Sequence, residues 1–157
     1  MKNNVERLLD TAGVTYIVHE YPVDDGLIDG MSIAAKIGKP AEQVFKTLVT
    51  EAPGHEYFVF IVPACNELDL KKAARACGRK SIAMIPSKQL LPLTGYIHGG
   101  CSPVGMKKRF PTFIDETAIL FDTICVSGGG KVGLNLEIDP EVLASTVDAQ
   151  FVDLAIA

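Results

Sequence analysis

Two glycine-dense stretches, Gly95-Tyr96-Ile97-His98-Gly99-Gly100-Cys101-Ser102-Pro103-Val104-Gly105 and Val126-Ser127-Gly128-Gly129-Gly130, expose backbone N–H groups where other chains carry side chains. Glycine admits positive φ and lets a ligand approach the main chain closely, so a pocket bounded by both stretches would hold its guest with peptide groups. Taken singly, each also serves as an ordinary tight turn. The sharpest single side chain is Lys46. In Val44-Phe45-Lys46-Thr47-Leu48-Val49 the two-residue period of a strand sets its ammonium on the face of Val44 and Leu48. A charge there either snorkels at a sheet edge or projects into a cleft. In a cleft it can pair with a phosphate or ribose oxygen, or bind a developing oxyanion.

Other catalytic patterns are approached and then broken. Gly128-Gly129-Gly130-Lys131-Val132-Gly133 has the spacing of a dinucleotide fingerprint, but that motif must open a helix and Val132 to Ile138 alternates as a strand. Neither Gly38-Lys39 nor Gly130-Lys131 is followed by Ser or Thr, as a phosphate-binding P-loop requires. Gly100-Cys101-Ser102-Pro103-Val104 approaches a serine nucleophile elbow. Pro103 defeats it, because the residue after the nucleophile must give its N–H to the oxyanion and proline has none. Ser102 is then a pocket hydrogen-bonder or a turn residue. Cys101 near His98 leaves a cysteine hydrolase open, although the sequence offers no third orienting group and a free cysteine also serves as a small packing residue. His19 in a strand and His55 in a turn read as structural or solvated.

These groups need a scaffold, and the pattern supplies one. Val5 to Ala12 has helical spacing, with Asn3 or Asn4 as cap and Gly13 as stop. Thr15 to Tyr21 follows as a strand, an acidic loop from Pro22 to Gly30 is a candidate lid, and Ser32 to Ile37 is a short helix. Val44 to Thr50 and Tyr57 to Val62 flank Ala52-Pro53-Gly54-His55 and read as the hairpin at the centre of the sheet. Asp69 caps a helix whose Leu70, Ala73, Ala74 and Cys77 form a core face, while Lys71, Lys72, Arg75 and Arg79 point outward. Further strands are expected at Ser81 to Ile85, Thr112 to Ile114, Ile119 to Phe121, Ile124 to Val126, Val132 to Ile138 and Phe151 to Ile156. Short helices are expected at Pro86 to Leu91 and from Asp139-Pro140-Glu141 to Val147. The result is an α/β fold: a mixed, largely antiparallel sheet, curled into a barrel-like core with helices around it.

At 157 residues, 48% apolar and 22% charged, the chain reads as a single globular domain over its whole length, 1–157. It has no apolar run long enough for a membrane span and no signal-peptide core at its start, so a cytoplasmic protein without membrane partners is expected. Cys65, Cys77, Cys101 and Cys125 show neither zinc-site spacing nor a disulfide framework. A net charge of −4 argues against broad electrostatic capture of nucleic acid. Two local basic clusters stand out nonetheless. One is Lys71, Lys72, Arg75 and Arg79-Lys80; the other is Lys107-Lys108-Arg109. If they flank one cleft they suit a phosphate backbone.

Four segments in this order resemble the YbaK/EbsC family: Gln43-Val44-Phe45-Lys46-Thr47-Leu48; Leu68-Asp69-Leu70-Lys71-Lys72-Ala73-Ala74; Thr94-Gly95-Tyr96 with Gly99 to Lys108; and Val126-Ser127-Gly128-Gly129. That family comprises freestanding relatives of the editing domain inserted in bacterial prolyl-tRNA synthetase, and the likeness is greatest to its Cys-tRNA(Pro) deacylase branch. The resemblance implies an enzyme that removes cysteine misattached to tRNA(Pro) without metal or other cofactor. It implies that Lys46, Gly99 and Gly100 are the catalytic residues, and that Tyr21, Cys101, Ser102, Pro103, Ser127, Gly128 and Gly129 bind substrate. Lys71, Lys72, Arg75, Lys107 and Lys108 would contact the tRNA, and docking with prolyl-tRNA synthetase would supply tRNA selection. In this branch the bound cysteine's own thiol attacks its ester. Cys101 stands where relatives carry a bulky aliphatic residue and Asn135 where they often carry aspartate; the first bears on amino-acid specificity.

Overall fold

Asn3 accepts a hydrogen bond from Glu6 N and starts α1 (Asn4–Thr11), as its side chain predicts. The computed structural model describes residues 2–130 and 132–156. The chain then forms β1 (Ile17–Glu20) and α2 (Gly30–Ile37), capped by Asp29. The hairpin β2 (Phe45–Ala52) and β3 (Glu56–Pro63) follows, then α3 (Leu70–Cys77), capped by Asp69. Next come β4 (Ala83–Met84), α4 (Leu90–Thr94), β5 (Thr112–Asp115), β6 (Ile124–Ser127) and β7 (Leu134–Ile138). The last elements are α5 (Pro140–Val147), with proline in its first turn, and β8 (Ala149–Val152).

The strands form two sheets, ordered β1-β7-β6 and β4-β2-β3-β5-β8. The hairpin lies at the centre of the larger sheet, as expected. Pairing is antiparallel except along β3-β5-β8, which runs parallel. Neither sheet closes on itself among the described residues, so the expected barrel-like closure is not found; two open sheets meet at a seam instead. There Val44 bridges Cys125 and brings the start of β2 against β6. The main core, including Leu9, Ile61, Ile114, Ile124, Leu136 and Leu143, draws on both sheets and on α1 and α5. Full burial of each such side chain contributes about 1.5–3 kcal/mol. A second cluster, with Phe60 stacked on Phe113, fills the other face of the larger sheet beneath α3.

Two expectations are corrected. Ile119 to Phe121 is not a strand: the Asp115 side chain accepts from Thr117 N and turns Glu116–Leu120 into a 3₁₀ helix, which leaves Leu120 exposed. Leu70 is exposed rather than core, because α3 seats itself through the small Ala73 and Ala74.

Candidate functional site

The seam opens into a cleft of about 330 Å³, and four separate stretches of chain reach it. Lys46 enters from β2, Ser127 from the end of β6, Tyr21 from just beyond β1, and Gly99 and Cys101 from the first glycine stretch. The local reason is the Val44–Cys125 bridge, which fixes the register at which Lys46, two residues along, meets Ser127, two residues along the other strand. Lys46 is half-buried, and among the described residues it takes part in no ion pair. Ile28, Ile33, Leu48 and Leu90 supply apolar walls, with His98 and Asp29 at the polar margin.

The glycine stretches divide into donors and fasteners. Gly100 N donates to Ile97 O at 3.0 Å and so closes a turn; Gly128 N donates to Leu134 O at 2.9 Å. Gly129 N turns to Ser127 Oγ at 3.3 Å, and Asn3 Nδ2 holds the carbonyls of Gly128 and Gly129. These three amides are therefore committed within the protein. The N–H groups of Gly99 and Cys101 have no hydrogen-bond partner among the described residues, and both residues line the cleft. Gly99 sits at φ +84°, a conformation that favours glycine, and a Cβ there would come within 2.9 Å of Ile28 Cδ1, a side-chain tip that can turn aside.

Ser102 and Pro103 lie outside the cleft. The Ser102 hydroxyl is fully buried and accepts from Val104 N at 3.1 Å, and Pro103 borders a separate groove with Met106 and Phe110. Both shape the turn that presents Cys101. The Cys101 thiol is walled in, and burial pushes it up to about 12. It stays protonated near neutral pH, which suits a packing residue better than a nucleophile. Burial likewise raises the Tyr21 phenol, whose ring lies 5.9 Å from the Lys36 ammonium.

The basic clusters are not part of the cleft wall. Lys71 and Arg75 sit on α3, while Lys72 is occupied by Asp153 Oδ1 at 3.0 Å and Ala155 O at 2.9 Å, ties that hold the last strand region to the helix. Lys107 and Lys108 follow the first glycine stretch and border neighbouring grooves. The expected lid, Pro22 to Gly30, is fastened by Lys36, whose ammonium binds Pro22 O, Asp25 Oδ1 and Leu27 O. Lys131 lies outside the described residues.

Two polar atoms escaped sequence reasoning as site features. Thr47 Oγ1 and Asn135 Oδ1 are buried without a hydrogen-bond partner, and both residues line the cleft. A buried unpaired acceptor costs about 1–3 kcal/mol unless a ligand satisfies it. Further along the Asn135 face of the small sheet stands Glu137. Burial pushes its carboxyl up, but hydrogen bonds from Thr123, His19 and Lys39 outweigh that and hold it at about 2.

An unpaired ammonium, two free amides and two unsatisfied side-chain oxygens inside apolar walls make a site chemically suited to a small polar ligand held largely through main chain. Comparison with known proteins assigns the class. Residues 31–145 match the aminoacyl-tRNA editing domain, and the chain belongs to that family. It is 39% identical over 153 residues to EbsC of Enterococcus faecalis, a protein named for Cys-tRNA(Pro)/Cys-tRNA(Cys) deacylase activity, with 98% of this chain and 93% of that one covered. It superposes with a TM-score of 0.84 on a crystal structure described as a trans-editing enzyme for prolyl-tRNA synthetase, at 25% identity with 100% of both chains covered. With the hypothetical protein APE2540 the TM-score is 0.88 at 19% identity over 98% of this chain and 100% of that one, a likeness of fold alone.

Proposed function

We propose that this chain is a trans-editing aminoacyl-tRNA deacylase that removes cysteine from tRNA(Pro). The observation that carries the reading is the convergence of Lys46 with the free amides of Gly99 and Cys101 in one cleft. In this reading the Lys46 ammonium pairs with the phosphate or ribose of the terminal adenosine, and the two amides receive the ester carbonyl oxygen as it gains charge. Oxyanion donors of this kind are worth about 3–4 kcal/mol each. Ser127, Tyr21, Thr47 and Asn135 complete the pocket around the aminoacyl group.

The nucleophile is the substrate's own sulfur. Its thiol loses a proton to solvent and the thiolate attacks the ester carbonyl. The carbon–oxygen bond to the ribose then breaks, and the departing hydroxyl takes up a proton. The products are free tRNA and a cyclic thioester that water opens. Holding the sulfur against its carbonyl supplies part of the roughly 7–11 kcal/mol that ideal alignment can give, less the strain of a four-membered ring. A protonated, buried Cys101 fits this division of labour. Lys71, Arg75, Lys107 and Lys108 are exposed or groove-lining cations that can meet the tRNA backbone, with Lys72 reserved for its internal ties. Because so few charges recognise one tRNA poorly, selection is assigned to docking with prolyl-tRNA synthetase in the cytoplasm.

The test is deacylation of tRNA(Pro) charged with cysteine, serine, alanine or proline, and of Cys-tRNA(Cys), with and without the synthetase. Cysteine should be released far faster than serine, whose hydroxyl is a poorer internal nucleophile. Lys46→Ala should cost about 100-fold or more, and Cys101→Ala should retain activity. Equal release of serine, or dependence on Cys101 in place of Lys46, refutes the mechanism. Binding of charged tRNA without any loss of the ester makes the protein a non-catalytic module, and release of alanine alone reassigns the substrate.

A further inference from the structure

The small sheet carries a second constellation on the same face as Asn135 and Ser127. Cys125 on β6 pairs directly with Glu137 on β7, and His19 on β1 pairs with Asn135, one same-face step before Glu137. One ligand atom from each of His19, Cys125 and Glu137 lies within 4.8 Å of the other two. His19 Nε2 is 2.8 Å from Glu137 Oε1, Cys125 is fully buried, and Glu137 is 8% exposed. Three adjacent strands thus hold an imidazole, a thiol and a carboxylate in a preformed triangle. Cysteine spacing could not reveal it, because the three residues are 106 and 12 positions apart.

We propose that His19, Cys125 and Glu137 form a binding site for a thiophilic divalent cation, zinc in the first instance. A sulfur, a nitrogen and an oxygen donor select zinc over magnesium or calcium, which prefer all-oxygen shells. Zinc bonds of about 2.0–2.3 Å are reached by small inward shifts of three side chains that already converge, with a fourth position for water from the partly open His19 side. Binding displaces the thiol proton of Cys125 to solvent, one proton per ion.

Lys39 is the internal competitor. Its ammonium lies 3.1 Å from Glu137 Oε2, and Thr123 Oγ1 donates to the same oxygen at 2.6 Å. The Lys39 side chain is 26% exposed and can turn to solvent when a dication arrives. Without the ion, Lys39 pairs with the carboxylate. The site is therefore ancillary to the cleft, and it does not depend on the deacylase reading.

The experiment is titration of the chelator-washed full chain with zinc by calorimetry in two buffers of different ionisation heat. Cobalt is added in parallel to read the thiolate-to-cobalt charge-transfer band. One equivalent of zinc should bind with release of about one proton. The cobalt band should vanish in Cys125→Ser, and zinc affinity should fall at least tenfold in His19→Gln, a partly exposed position chosen because Cys125 is core. Lys39→Gln should bind about tenfold tighter, since it removes a competing cation, an effect that a purely structural ion pair would not give. Lys46→Ala should bind zinc normally, which separates this site from the cleft. The proposal is overturned if no saturable zinc binding occurs, if binding survives in His19→Gln, if Lys39→Gln leaves it unchanged, or if the cobalt band is lost in Cys65→Ser, an exposed thiol, instead.

Discussion

Gly30, the first residue of α2, touches the end of β3 with no room for a methyl group. A Cβ at Gly30 would fall 2.0 Å from the Cβ of Ala64, against an ordinary carbon–carbon contact of about 3.5–4.0 Å. In Gly30→Ala either the first turn of α2 or the chain at Ala64 must retreat by about 1.5–2 Å. Both residues wall the cleft, with Asp29 and Ile33 beside them, so the retreat moves that wall away from Lys46. Overpacking of this kind costs about 1–3 kcal/mol. Alanine's better helix propensity returns up to about 1 kcal/mol, for a net loss of up to about 2 kcal/mol when that return is full. A misplacement of about 1 Å can cost roughly 100-fold in rate, so Gly30→Ala should lose about 10- to 100-fold in kcat/KM on Cys-tRNA(Pro) while remaining folded in urea titrations. The partner change supplies the control. With Ala64→Gly added, the nearest remaining atom is the residue 64 Cα at 3.3 Å, which asks for adjustments of only a few tenths of an ångström. The double variant should recover most of both losses. Wild-type behaviour of Gly30→Ala, or a double variant no better than the single one, would refute the steric argument.

Asn135→Leu should stabilise the protein by up to about 1–2 kcal/mol in chemical denaturation, because it removes an unsatisfied buried acceptor, and should weaken substrate binding at the same time. Unchanged KM would remove Asn135 from the site. Asp115→Ala should cost about 3 kcal/mol or more, since that buried carboxylate accepts from Leu154 N, Ala155 N and Thr117 N and thereby anchors the segment that follows β8; urea unfolding measures it. The Cys101 thiol, near 12 when folded against an ordinary value near 9, keeps its proton longer in the folded state. It therefore contributes stability below pH 9 that is lost as pH rises from about 9 towards 12. The melting temperature should fall across that range less steeply in Cys101→Ala than in the wild type, and parallel curves would contradict the assignment.

Much of the scaffold was legible because the signals are local. Asn3, Asp69 and Asp139 announce helices within four residues, and the alternation around Lys46 is a property of one strand. Lys46 stood out because a charge on an apolar strand face must snorkel at an edge or meet a cleft, and its side chain lines the cleft. The glycine stretches were legible only as places where amides could be free. Which amides are free is decided by how each stretch folds: Ile97 O claims Gly100 N, Ser127 Oγ claims Gly129 N, and Leu134 O on the facing strand claims Gly128 N. Thr47 and Asn135 were invisible as unsatisfied groups for the same reason, since a missing partner is a fact about every neighbouring element. Ile119 to Phe121 misled because a single side-chain cap at Asp115 outweighed a run of strand-forming residues.

Ile28, Ile33, Val44, Leu48 and Leu90 stand opposite free peptide groups in the cleft, and under the proposed function the combination works as a sieve with a one-sided error. Branched aliphatic walls turn away a guest that is too large at a steep energetic penalty, yet a guest lacking one methylene forgoes only about 1–3 kcal/mol. Peptide amides, for their part, greet every ester alike. Anything bulkier than the intended occupant is spared by shape, whereas anything slimmer can enter and must be told apart by how fast it reacts once inside.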